Sequence, residues 1–159
     1  MKILETIIAI GVLSLSLFNS NNLNAEETKE VESVEVAQVS NTQDTLYSFT
    51  GTVSAYTPYC DGCIGITASS YNVLNTMYYD DQTYGTLRII AADQSIPFGT
   101  IIKMSGDGFD PIISIVLDRG SAIGNDKRVQ ADLLFSDYSD AINFGIKNNV
   151  LFEILRYGY

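Results

Sequence analysis

The sequence predicts a mainly β domain over residues 46–159, folded as a small closed or nearly closed barrel with one short helix. Three observations point there. From Leu46 onward the chain breaks into short β-branched or apolar runs separated by turn signals, and only one segment carries helical punctuation. Six or more such runs within about 114 residues leave room for a single small core.

The elements follow in order. Residues 46–56 alternate around Thr and Ser, the period of a half-buried strand. Residues 86–91, 100–104, 112–117, 129–135 and 150–155 are β-branched or apolar runs of strand length. Residues 136–145 break the rhythm with an N-cap, acids in the first turn and a glycine stop, so the spacing predicts one short helix there.

Ahead of this domain the chain reads as a leader and a tether. Met1 and Lys2 make a short basic start, residues 7–18 are apolar apart from small Ser and Gly, and Leu23-Asn24-Ala25 offers a small-residue cleavage site. Glu5 is out of keeping with that pattern. An apolar run of about 12 residues is short against the ~20 that a spanning helix needs, which favours a signal peptide over residues 1–25 rather than an uncleaved anchor. No Cys follows the cleavage site to take a lipid. The expectation is a secreted or wall-held protein with no stable membrane anchor after cleavage near Ala25. Residues 26–45 are acidic and lack aromatics, the composition of a disordered linker.

Composition narrows the chemistry. The formal charge is −10, and residues 46–159 hold seven Lys or Arg against twelve Asp or Glu. Such a surface repels phosphate backbones and anionic membrane faces, so nucleic acid is not an expected partner. The chain has no His and no Trp, and its domain has one Glu, Glu153. Acid or base catalysis near neutral pH therefore falls to Asp, Lys, Tyr or Cys. No metal or other cofactor is expected, and a monomer is the expected state.

The candidates for that chemistry stand at strand ends. Asp93 closes one apolar run and Asp118 another, while Asp132 lies inside Val129-Gln130-Ala131-Asp132-Leu133-Leu134-Phe135. A carboxylate in an apolar strand loses solvation, which raises its pKa unless hydrogen bonds or a cation compensate. The plainer reading is that each Asp caps a turn or pairs with Arg119, Lys127 or Arg128. Three such residues together favour a site.

These residues also carry a resemblance. Ser54-Ala55-Tyr56-Thr57-Pro58 through Ile66-Thr67-Ala68-Ser69, then Ala92-Asp93-Gln94-Ser95-Ile96-Pro97-Phe98-Gly99-Thr100, Leu117-Asp118-Arg119-Gly120-Ser121, Ala131-Asp132-Leu133-Leu134-Phe135 and Tyr138-Ser139-Asp140-Ala141 occur in that order. The set resembles the 3D domain family, named for its three aspartates and related to the catalytic barrel of membrane-bound lytic transglycosylase A. The resemblance implies a six-stranded double-psi β-barrel that cleaves peptidoglycan glycan strands between N-acetylmuramic acid and N-acetylglucosamine. It implies Asp132 as the catalytic acid and base, with Asp118 and Asp93 holding and tuning it. Tyr56, Thr57, Thr67, Gly120 and Ser121 fall at the family's substrate groove. One carboxyl group would protonate the glycosidic oxygen and then take the proton of the sugar's own 6-hydroxyl, leaving a 1,6-anhydro end. Ordinary glycosidases use two carboxyl groups instead.

The chain departs from the family pattern in three places. The Gly-Gly expected after the second aspartate is Gly120-Ser121. The segment from Asp118 to Asp132 is longer than the family's, with Asn125-Asp126-Lys127 as the extra loop. Around Ser69-Ser70 the expected Gly is missing, and residues 71–83 read as an insertion rich in Tyr and Asp. All three fall around the expected groove.

Cys60 and Cys63 form a C-x-x-C pair. A tight local disulfide is the first reading, because an exported protein permits it and no second pair or His could complete a zinc site. A redox role lacks its usual helical context, and two free thiols are the remaining alternative. Tyr56, Tyr59, Tyr78, Tyr79 and Tyr84 could stack on sugars, although tyrosines in a β-rich domain are more often strand and core residues. Two functions stay open at this stage: a peptidoglycan-cleaving enzyme of cell-wall turnover, and a non-catalytic wall-binding β-barrel module.

Overall fold

A computed structural model describes residues 44–60, 62–106 and 108–159. The signal peptide expected over residues 1–25, and all but the last two residues of the linker expected over 26–45, lie outside the described residues.

Seven strands and one helix follow in the order β1 (Tyr47–Tyr56), β2 (Tyr78–Asp81), β3 (Gly85–Ala92), β4 (Ile101–Gly106), β5 (Phe109–Asp118), β6 (Ala131–Leu134), α1 (Tyr138–Phe144) and β7 (Lys147–Arg156). Neighbouring strands run β3-β5-β4-β7-β1-β6, and β6 pairs back onto β3. The ring is closed, so the described domain is the expected mainly β, six-stranded barrel with a single short helix. Closure removes the open edges that a sheet of this size would otherwise present. Two of the contacts are parallel, β1 with β6 and β3 with β5, and parallel pairs require crossovers rather than hairpins.

Alternation along the strands divides the apolar residues between two faces. Val53, Ile90, Ala92, Ile102, Met104, Val116, Ala131, Leu133, Val150, Phe152 and Ile154 form one buried cluster. Leu87, Ile89, Ile101, Ile115, Leu117, Leu134 and Leu155 form a second, joined there by Val73. Ile89 and Ile90 are adjacent in β3 yet belong to different clusters, as the two-residue period requires. A barrel strand apolar on both faces must be covered outside as well as inside. The segment over 71–84 supplies that cover, with Tyr71, Tyr79 and Tyr84 packed on the second cluster.

That cover is where the structure adds to the sequence reading. The Tyr- and Asp-rich insertion contains β2, which pairs antiparallel with β3 outside the ring. The Asp81 carboxylate accepts the backbone N–H groups of Thr83 and Tyr84 at 2.9 and 3.0 Å, which closes the turn into β3. Arg156 of β7 donates to the same carboxylate at 2.5 and 3.2 Å. In β5, Pro111 falls where Gly106 pairs with Phe109 and Met104 with Ile112, an offset that spares the ladder a missing donor. The helix lies within the 136–145 segment expected to hold it. Its N-cap is Asp137, whose side chain accepts from Ser139 and Asp140, and Gly145 ends it at φ 65°.

Candidate functional site

The barrel's closure carries four residues into one row across four adjacent strands. Ser54 of β1 pairs with Asp132 of β6, Asp132 pairs with Ala91 of β3, and Ala91 pairs with Asp118 of β5. Residues directly opposite across a sheet point their side chains to the same face. Asp118 takes its place through a register shift: Ile90 pairs with Val116, but Ala91 pairs with Asp118 rather than Leu117. Such an irregularity re-aims a side chain, here a carboxylate that plain alternation would have sent to the other face. Ala91, only 2 % exposed, is the small floor between the two acids.

Tyr56 bridges this row from above. It lies two residues beyond Ser54 on the same strand, and its hydroxyl donates to Asp118 Oδ2 at 2.9 Å. The backbone N–H groups of Ala68 and Arg119 donate to Asp118 Oδ1 at 2.9 and 2.8 Å. Three donors fix the orientation of that carboxylate. Asp132 is held more sparsely, with the Ser54 hydroxyl donating to its Oδ1. Burial pushes the Asp132 carboxyl above the ordinary carboxylate range, and the Ser54 hydrogen bond opposes that rise without cancelling it. Burial, reinforced by the charge and hydrogen bond of Asp118 and the charge of Asp132, raises the Tyr56 phenol far enough to keep it neutral.

Asp118 and Asp132 line one open cavity of about 340 Å³, together with Tyr56, Thr57, Gly120 and Ala91. Its other wall is apolar: Pro58, Cys63, Ile64, Ile66 and Ile123. A disulfide joins Cys60 to Cys63 in that wall, and the Tyr59 hydroxyl donates to the Leu74 carbonyl at 2.6 Å. Gly65 has φ 70°, and a Cβ there would meet Leu74 at 2.2 Å, so this turn requires glycine.

Asp93 is not in that cavity. It lines a second one of about 510 Å³ with Gln94, Ser121, Asp126 and Lys127, and the two cavities share Arg119, Gly120 and Ile123. Its carboxylate accepts the Ser95 N–H at 2.8 Å, and the Ser95 hydrogen bonds hold its pKa below the usual range. Arg119 stands between the cavities. Its guanidinium donates to the carbonyls of Ile96, Asp118 and Ala92 at 2.8, 3.2 and 3.4 Å and lies 3.9 Å over the Phe98 ring. Among the described residues, ion pairs join Lys103 to Glu153, Lys127 to Asp126 and Arg156 to Asp81, so none involves Asp93, Asp118 or Asp132.

The remaining candidates are placed as follows. Thr57 and Gly120 line the first cavity and Ser121 the second. Thr67 is 4 % exposed and lines neither, its hydroxyl accepting from the Tyr71 N–H at 3.0 Å and meeting Ser69 Oγ at 3.1 Å. The non-glycine residues at positive φ among the described residues are Ser70 and Asn149, so Ser121 needs no glycine geometry. Ser70, at φ 68°, occupies a conformation that glycine adopts without strain. Ser54, Ala91 and the isoleucines of the apolar wall were not singled out from the sequence. Ser54 was within reach, since a period of two from Tyr56 puts it on the same face.

Fold and site together define a closed β-barrel with an open groove that holds two carboxylates, one half-buried and one fixed by three donors. No family model matches the chain. It is similar to the SPbeta prophage-derived uncharacterized protein YorM of Bacillus subtilis (strain 168), 35% identical over 97 residues that make up 60% of this chain and 37% of YorM. It is also similar to the "Putative cell wall shaping protein YabE" of the same organism, 33% identical over 99 residues, 62% of this chain and 21% of YabE. The chain thus spans well under half the length of either relative.

Proposed function

We propose that this protein acts at the bacterial cell wall, cleaving peptidoglycan glycan strands by lytic transglycosylation with Asp132 as the single acid and base. The likeness to a protein named for cell wall shaping supports the setting. The row Ser54–Asp132–Ala91–Asp118 carries the chemistry. Asp132 faces the groove with a carboxyl whose protonated form is favoured by burial, the condition for a general acid.

In this reading the Asp132 carboxyl gives its proton to the glycosidic oxygen as that oxygen departs with the bonding pair. The resulting carboxylate takes the proton of the sugar's 6-hydroxyl, whose oxygen bonds to the anomeric carbon. The fixed negative charge of Asp118, across Ala91, favours the positive charge that develops on the sugar between these steps. Tyr56 orients Asp118 as a neutral donor. Asp93 acts at one remove, through the Ser95 turn and Arg119. The apolar wall of Ile64 and Ile66 gives the sugar rings a surface to lie against.

Asp132→Asn should leave co-sedimentation of the full chain with purified sacculi unchanged and cut the release of soluble fragments by about 10²–10⁴-fold. Undiminished release would remove Asp132 from the chemistry. Binding by the natural chain with no release at all would leave a wall-binding module.

A further inference from the structure

We infer that the second cavity is a subsite for a short zwitterionic peptide, the stem carried by the muramyl sugar, so that the groove distinguishes peptide-bearing glycan from bare glycan. This rests on the proposed function above and adds to it a second recognition element.

The two cavities are contiguous, since Arg119, Gly120 and Ile123 line both. Their chemistry differs. The first has an apolar wall that suits sugar faces, while the second is lined by Asp93, Gln94, Arg119, Ser121, Asp126 and Lys127. Two carboxylates and two cations around one space suit a ligand with both an ammonium and a carboxylate group. A stem-free muramyl sugar brings only its lactyl carboxylate and no ammonium, and a phosphate polymer has no ammonium to meet Asp93 and Asp126. The Lys127–Asp126 pair is 3.3 Å long with side chains 47% and 79% exposed, so each partner can exchange the other for a ligand at little cost.

The cavity is also where this chain departs from the family it resembles. The extra loop Asn125-Asp126-Lys127 contributes two of its walls, and Ser121 replaces a glycine in a third. That loop is braced. The Gln130 side chain donates to the carbonyls of Lys127 and Gly124 at 2.9 and 3.3 Å and accepts the Thr52 N–H at 2.7 Å, tying the loop to β1. Asn125 donates to Ser95 Oγ at 3.3 Å, tying it to the Asp93 turn. A braced loop that adds charge beside a groove acts as a specificity element.

The test titrates the full chain carrying Asp132→Asn with two soluble probes, a muramyl disaccharide bearing its tetrapeptide stem and the same disaccharide with the stem removed. The stem-bearing probe should bind about tenfold more tightly and shift the amides of Gln94, Ser121 and Lys127. Adding Asp126→Ala and Lys127→Ala should bring the two affinities together while the stem-free affinity stays unchanged. Equal affinities at the outset, a preference that survives both substitutions, or binding of neither probe would overturn the subsite. Because binding needs no turnover, a preference for the stem-bearing probe alongside no fragment release by the natural chain would contradict only the proposed reaction.

Discussion

In the proposed reaction, Asp132 is the residue at which stability and chemistry oppose each other. Burial raises its pKa above 3.8, so its folded-state ionisation is costlier than in the unfolded chain. The sign follows: the contribution is fully present below 3.8 and is lost as pH rises through the raised folded value. At pH 7 that contribution is diminished, so the half-buried Asp132 carboxyl costs the fold stability there that a neutral side chain would not. Asp132→Asn is expected to resist urea better than the natural protein at pH 7, and the difference should vanish near pH 3. An Asn variant no more stable at pH 7 would mean that the Ser54 hydrogen bond outweighs burial. At Asp118 three donors supply what Asp132 lacks. The sequence marked Asp118 by its place at a strand end and Asp132 by its place inside an apolar run, yet it could not show that Ala91 is the small floor between them, because that depends on pairings with two different strands.

At the scale of elements, the strands were legible and the cover over them was not. Runs such as 86–91 and 112–117 carry β-branched residues on both faces, and β3 and β5 formed around them. β2 is built from Tyr-Tyr-Asp-Asp, which has neither apolar alternation nor a turn signature that separates it from a loop. Its anchor is nonlocal: Asp81 finds Arg156 75 residues away. That ion pair, more than the neighbouring backbone hydrogen bonds, lowers the Asp81 pKa from 3.8 to about 2. A depressed pKa contributes stability above 3.8 that is lost as pH falls toward about 2. Arg156 is 41% exposed, so solvent screens the pair and the effect is local rather than global. Amide exchange in β2 should accelerate between pH 4 and 2 relative to that in β7 after correction for intrinsic rates, and Asp81→Asn should show the faster exchange already at pH 6. Unchanged protection of β2 in the variant would show that the Tyr71, Tyr79 and Tyr84 packing alone holds the hairpin.

At the scale of the molecule, the candidate site follows from closure. Only because β6 pairs with both β1 and β3 do Ser54, Asp132, Ala91 and Asp118 fall in one line, and only because β5 shifts register does Asp118 face the same groove. The order of motifs in the sequence indicated a barrel and its three aspartates. The geometry separates them, with two in one cavity and Asp93 in the next, because Asp93 lies beyond the end of β3 and turns its carboxylate to the Ser95 turn. A groove with one proton-donating carboxyl and one fixed carboxylate suits a reaction in which the same group gives and then takes a proton. The decisive measurement is mass spectrometry of the fragments that the full chain releases from purified peptidoglycan. Fragments ending in 1,6-anhydro-muramyl residues, absent with Asp132→Asn, are the expected result. Fragments with ordinary reducing ends would contradict it, since they require water rather than the sugar's own hydroxyl as the attacking group.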